Sequence, residues 1–363
     1  MIKRIFKNRR GQIQGVDFAL AMIVFMIMFA EVIVLSLSFL EPKYQNLEDR
    51  AFESRAEEIS EAFFASAGYP EKWEYTYPGA LNSFGLRKIG STALDANKLA
   101  RVVPNSLYEL NYEAVKSLIS REEEIGFQLQ LRSLFEVTGT FTMAIPTSSI
   151  SVSTSETGCS IWVFVIGPTN EVIFTQRAAT NSSGGFEVSF ATSTLPNGYY
   201  TLVVFAKNSK GIFAVDYAQA VRGTYVDLAL KMLIQEDKNS NGRAIIQASH
   251  NGSATSLSAT IVYPYLIGGE ANANDSKTIA SPAQNEIFNL RLVTNGTSVV
   301  ILSADSLLGA ARTVGIYPAQ LNQKFGSFGE VQLPENKQVV TVEKLVIIRE
   351  CIFKAVLYLW SES

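Results

Sequence analysis

The stretch FALAMIVFMIMFAEVIVLSLSFL, residues 18–40, decides how the rest of the chain is read. It is 23 residues long and almost wholly apolar. A helix rises about 1.5 Å per residue, so the run reaches roughly 34 Å, enough to cross a bilayer core. Lys3, Arg4, Lys7, Arg9 and Arg10 precede it, whereas Glu41, Lys43, Glu48, Asp49 and Arg50 behind it are of mixed sign. The positive-inside bias then puts Met1 in the cytoplasm and the bulk of the chain outside the cell, on a single-pass anchor. Asp17 lies at the edge of the run and Glu31 within it. A carboxylate near mid-membrane is costly. Glu31 is therefore either an assembly contact or a protonated group bonded to a neighbouring helix or another part of the protein. A secretory signal has an apolar core of about 7–15 residues and a small-residue cleavage site. This run is longer and no Ala-x-Ala precedes Glu41, so the helix is expected to stay on the mature protein.

The order Arg9-Arg10-Gly11-Gln12, Asp17-Phe18 and a long apolar helix resembles the class III, type IV prepilin-like signal of archaeal surface proteins. The resemblance implies cutting by a membrane prepilin peptidase between Gly11 and Gln12. Residues 1–11 would be the leader and 12–42 the retained transmembrane helix. It also implies an assembly role for Asp17, paired with the new N-terminal amine of a neighbouring subunit. Asp17 would be the sixth mature residue, whereas the best-known pilins carry the acid at the fifth.

Composition narrows the function further. A chain of 363 residues sets a prior of two or three domains. The net charge is −3 and the basic residues behind the head are dispersed, which excludes a nucleic-acid surface. Two cysteines, Cys159 and Cys351, exclude a disulfide framework and a multi-cysteine metal site. They form either one bridge or two isolated thiols. The lone histidine, His250, has no companions for a zinc site or a catalytic triad and reads as a surface-turn residue. Neither a phosphate-binding loop nor a nucleophile elbow occurs. The chain is read as a non-enzyme with no cofactor.

One loop is a candidate metal site. Asp237, Asn239 and Asn241, followed by Gly242, match the first half of a calcium loop, but the twelfth position is Ala248 rather than Glu. Asn-Gly is also a hairpin turn, so a turn and a weak Ca²⁺ site both stand. Four Asn-x-Ser/Thr sequons, at Asn181, Asn251, Asn274 and Asn295, fall on the expected outer side. They agree with a glycosylated extracellular face; the other reading is turn asparagines alone.

Beyond the membrane run, Pro42 is expected to bend or restart the helix. Leu47, Phe52, Ala56, Ile59 and Phe63 then recur at helical spacing, and Gly68 with Pro70 ends the stalk. Gly68-Tyr69-Pro70-Glu71-Lys72-Trp73 looks like the same archaeal pilin-like family. So do Gly85-Leu86, the segments 94–99, 112–118 and 127–131, and the ending Phe353 to Trp360. Short helices are expected over 95–102 and 108–119, and a strand over 126–132. That strand needs partners, and the terminal hairpin, with arms 338–348 and 352–360, supplies the simplest pairing. A discontinuous α+β head follows, residues 43–135 completed by 336–363.

Between its halves, charges thin out. Seven short strands separated by turn signals over 136–225 predict a sandwich that looks immunoglobulin-like or transthyretin-like. Residues 226–335 predict a second sandwich, with 268–283 as a polar loop. The fold class is α+β multidomain: a long transmembrane and stalk helix, a small head and two inserted β-sandwiches. The expected protein is membrane-anchored, structural or adhesive. By resemblance it is a minor pilin or pilus-associated subunit, with other pilin-like subunits or a surface layer as partners. Two large inserted domains would crowd a densely packed filament, which speaks against a major pilin. The alternative is a stand-alone anchored module binding a glycan, an envelope component or a solute.

Overall fold

The computed structural model describes residues 5–119, 124–223, 228–237, 242–264, 273–292, 297–307, 309–349 and 351–362. Its helices are α1 (Ile5–Ala65), α2 (Ala96–Ala100) and α3 (Tyr112–Ile119). Then come β1 (Ile125–Ser133), β2 (Val137–Thr142), β3 (Thr147–Thr154), β4 (Ser160–Ile166), β5 (Val172–Ala179), β6 (Gly185–Ala191), β7 (Gly198–Lys207) and β8 (Phe213–Arg222). Next are β9 (Leu230–Glu236), β10 (Arg243–His250), β11 (Ser256–Tyr263), β12 (Ala273–Ala280), β13 (Asn285–Arg291), β14 (Ser298–Ser306) and β15 (Gly309–Tyr317). The chain closes with β16 (Phe328–Gly329), β17 (Val339–Ile348) and β18 (Cys351–Ser361). The architecture is α+β, an apolar N-terminal helix followed by antiparallel β domains.

Two compact units make up the chain, Met1–Glu58 and Ile59–Ser363. The first is the body of α1. The helix continues through Pro42, where a bend or restart was expected. A proline in a helix interior costs about 3 kcal/mol, which propagation on both sides of a long helix offsets. Within the apolar run, the Ser36 hydroxyl donates to the carbonyl of Val32 (2.7 Å) and that of Ser38 to Leu35 (2.8 Å). Neither serine needs an outside partner, as an apolar surrounding demands.

The second unit begins with the last turns of α1. Gly68 ends the segment behind the helix at φ +75°, a left-handed conformation open to glycine, and a Cβ there would lie 2.7 Å from the Ser83 carbonyl. Trp73 is buried and its indole N–H donates to the Gly85 carbonyl (2.9 Å). Lys98 is wholly buried and donates to the carbonyls of Ala67 (2.6 Å) and Arg87 (3.1 Å). Burial pushes its ammonium below the usual lysine range. The helix expected over 108–119 starts only at Tyr112, because Asn105 and Tyr108 both take φ +60°.

β1 runs antiparallel to β18 from Ile125↔Ser361 to Ser133↔Phe353, and β18 pairs with β17. The head sheet therefore joins strands on either side of the β domains, in the order β16-β1-β18-β17. Phe63 packs on Phe84 (4.8 Å between centroids) and Phe127 (5.2 Å), and Phe127 on Phe328 (5.5 Å). Each such buried ring contributes roughly 2–3 kcal/mol of transfer free energy. Phe328 and Gly329 fall in the stretch read as second sandwich, yet they pair with Leu129 and Gln128 of the head. Two residues carry no periodicity, so that return was not legible.

The first β domain pairs the sheet β2-β3-β6 with β5-β4-β7-β8. Its core holds Val163, Val165, Leu202, Val204, Ile150 and Val152. The second pairs β13-β10-β9 with β12-β11-β14-β15. The segment 268–283, read as a loop, contains the strand β12. Ser276, Lys277 and Thr278 are exposed on this edge strand, which pairs with β11 on one side only, so no apolar pattern marks it.

The two domains also share a core. Trp162, Phe164, Val203 and Phe205 from β4 and β7 cluster with Val262, Val299, Ile301 and Ile316 from β11, β14 and β15. β4 and β7 are thus buried on both faces, which is why they read as continuous apolar runs rather than alternating ones.

Candidate functional site

Two features stand out. The first is the apolar segment of α1. Phe18–Ser38 is long and apolar enough to cross a membrane by length and composition, and none of it is buried within the chain. Gly11, Gln12 and Asp17 lie in α1 upstream of it or at its edge, and Glu31 is exposed within it.

The second is a cavity of about 310 Å³ where the head sheet, the first sandwich and the 318–327 connection meet. It is built around Asp216 of β8, which is only 2% exposed. A buried carboxylate must be paired. One oxygen accepts the Gly139 N–H of β2 (2.7 Å) and the other takes the Lys324 ammonium. Lys324 also lies 5.9 Å from the Tyr217 ring centroid and 5.8 Å from that of Phe325, and these two rings stack on each other at 5.2 Å. The Asn322 side-chain oxygen accepts the N–H groups of Lys324 (2.9 Å) and Phe325 (3.1 Å), fixing the turn that presents them. Arg132 lines the opposite wall and donates through Nε to Gln130 (3.0 Å). Glu136 lies at the mouth and is exposed.

A smaller cavity, about 130 Å³, lies between the 103–106 loop, β9 and β15. Its lining is mostly apolar, including Met232, Ile234 and Ile316.

The other residues singled out from sequence are scattered. Asn181 caps its own turn, accepting the N–H groups of Ser183 (2.9 Å) and Gly185 (2.9 Å). Asn251 accepts the Ala229 N–H (2.9 Å). Asn274 sits in β12, in register with Val262. Asn295, Asn239 and Asn241 lie outside the described residues. The Asp237 N–H donates to the Arg243 carbonyl (3.0 Å). No group of three or more His, Cys, Asp or Glu gathers to hold a metal among the described residues.

His250 corrects the expectation of a surface turn. It ends β10, is 5% exposed, and sets its ring nitrogens 2.8 Å from the Gly252 carbonyl and 2.9 Å from that of Ala283. The polar Ser-His-Asn-Gly context gave no sign that the following turn folds back over the ring. Cys159 is buried and Cys351 half-buried, and no disulfide joins the two.

Sequence reasoning missed Asp216, Lys324, Asn322 and Arg132. One signal was present: Asp216 interrupts the apolar start of β8, Phe-Ala-Val-Asp-Tyr-Ala, where a charge needs a partner from elsewhere.

The class the fold defines is a multidomain α+β protein with β-sandwich domains behind an apolar N-terminal helix. The sequence matches no protein-family profile and no curated protein. Similar solved structures include a tetra-tandem repeat from the extending region of a large adhesion protein. That likeness has 13% identity and a TM-score of 0.24, and covers 59% of this chain and 52% of that one. The FN1–FN3 domains of chicken CNTN1 are another, at 15% identity and a TM-score of 0.18, covering 50% of this chain and 64% of that one. At such scores neither likeness bears on function.

Proposed function

We propose that this chain is a membrane-anchored cell-surface protein with a structural or adhesive role, most specifically a minor pilin or pilus-associated subunit. The observation that carries the anchor is Phe18–Ser38: an apolar helical run that the rest of the chain leaves uncovered. Exposing such a run to water is unfavourable by about 25 cal/mol per Å² of apolar surface, and a bilayer removes that cost. The pilin-like part rests on the motif Arg9-Arg10-Gly11-Gln12 with Asp17 and on its resemblance to archaeal prepilin-like signals. In this reading a prepilin peptidase cuts between Gly11 and Gln12. Asp17 and Glu31 make assembly contacts with neighbouring helices, and the β domains stand outside the cell, with the sequon asparagines as glycan carriers. The role is not enzymatic.

The mass of the mature N-terminus tests this. A chain starting at Gln12 in the membrane fraction is the expected result. A chain starting beyond residue 40 would make the run a cleaved signal and sink the anchor. Electron microscopy of shed filaments, labelled with antibody to the chain, tests assembly. A processed chain absent from every filament would favour the second reading, a stand-alone surface binding module, which the 310 Å³ cavity supports.

A further inference from the structure

We infer that the cavity around Asp216 and Lys324 is a binding site for a neutral sugar, taking one pyranose ring of a glycan. The inference deepens the surface-binding reading by naming what that surface would hold.

Size comes first. At about 310 Å³ the cavity falls at the lower end of small-ligand sites, roughly 300–1,000 Å³, and lies at a junction of domains, where such sites concentrate. It holds about ten waters' worth of volume, close to one sugar ring with its hydroxyls. The 130 Å³ cavity is below that range and has few polar groups.

Charge comes next. Arg132 and Lys324 are balanced by Glu136 and Asp216, and Lys324 is already paired with Asp216. A site built for phosphate or another anion would carry an excess of positive charge, and a cation site an excess of carboxylate; this one carries neither. The balance favours a ligand that is uncharged but rich in hydrogen-bonding groups.

The lining suits hydroxyls. Arg132, Glu136, Gln320 and Asn322 line it with planar polar groups, and the exposed Glu136 carboxylate can meet two neighbouring hydroxyls of a ring. Asn322 uses its oxygen on the turn, which leaves its NH₂ as the group to offer. Half-buried Phe325 adds aromatic surface beside them, suited to the C–H face of a sugar.

Rigidity is the last argument. Asp216 ties β8 to β2 through Gly139 and to the 322–326 turn through Lys324, and Asn322 bridges Gly326. The walls come from three separate parts of the chain, but the tie fixes them before a ligand arrives, which lowers the ordering cost of binding.

The test uses the full chain in a non-glycosidic detergent. Saturation-transfer NMR is recorded with methyl α-glucoside, methyl α-galactoside, methyl α-mannoside and N-acetylglucosamine, and with methyl phosphate and glycine as charged controls. The expected result is saturable transfer from at least one sugar, with millimolar affinity, and none from the controls. Glu136→Ala removes an exposed acceptor and should weaken that sugar roughly tenfold. Thr138→Trp fills the mouth from an exposed position and should abolish binding. Both variants should keep the parent's thermal midpoint, so lost binding is not lost folding. Absence of saturable transfer from every sugar overturns the inference. So does binding that neither variant changes, or binding of methyl phosphate alone. The N-terminal mass is read on the same preparation, so failure of the anchor reading and failure of the sugar site are told apart.

Discussion

Arg312 of β15 donates to the Gly167 carbonyl in the β4–β5 turn at 2.6 Å, joining the two sandwiches through residues 145 apart in the chain. The same guanidinium reaches Ser303 (2.8 Å), Thr201 (3.2 Å) and Asn170 (2.9 Å). Asn170 in turn donates to Ser258 of β11 (2.6 Å). Among the described residues its partners are carbonyl, amide and hydroxyl oxygens rather than carboxylates. Burial accordingly pulls its pKa down to about 10, so it stays charged at neutral pH.

Replacing Arg312 should loosen the contact between the sandwiches. Arg312→Ala leaves several buried acceptors without donors, and a loss of about 3 kcal/mol is expected. Arg312→Lys keeps the charge but not the fork, and should recover less than half of that. Chemical denaturation of the full chain in mild detergent measures both.

Asn97 ties the head to the second sandwich. Its side-chain oxygen accepts the Glu236 N–H (2.8 Å) and the Tyr317 hydroxyl (3.0 Å), and its NH₂ donates to the Tyr75 hydroxyl (2.7 Å). Asn97→Ala should cost about 2–3 kcal/mol, and Tyr317→Phe about 1 kcal/mol. In a double-mutant cycle the two should couple by about 1 kcal/mol. Simple additivity would show that the bond does not hold the head and the sandwich together.

Gly126 shows a close approach that only glycine allows. It pairs with Trp360, and a Cβ on Gly126 would lie 2.3 Å from the indole nitrogen. Gly126→Ala should displace the Trp360 ring and destabilise the head sheet by about 2 kcal/mol. Tryptophan fluorescence should shift with it. An unchanged emission spectrum would contradict the contact.

Alkali should destabilise the fold, starting near pH 10. Burial raises the hydroxyl pKa of Tyr75, Tyr217 and Tyr317, and that of Tyr112 to about 12, from the usual 10. Above pH 10 the unfolded chain loses these protons while the folded chain keeps them. The folded state then binds more protons, so stability is fully present below pH 10 and falls as pH rises towards 12. Lys98, Arg101 and Arg312, with lowered pKa values, act in the opposite direction over the same range. The tyrosines should win, and the denaturation midpoint should fall between pH 9 and 11. Tyr317→Phe should flatten that fall.

Part of this protein was legible residue by residue. The apolar run of α1, the β-rich middle and the alternating Phe127, Leu129 and Leu131 declare themselves because helical and strand periods are local properties of sequence. β12 and β16 did not, one being a polar edge and the other only two residues long. Asp216 was visible only as an odd charge in a strand, and Lys324 not at all.

The amino-acid sequence by itself determined an apolar helix of membrane-spanning length, an α+β class and where most strands run, since each depends on near neighbours and on side-chain polarity. Only the tertiary structure decided that the sandwiches share a core, that Arg312 and Asn97 are buried ties between domains, and that a cavity opens beside Asp216. Those features come from side chains far apart in the chain, set opposite one another by strand pairing and register, and no local period encodes such a meeting.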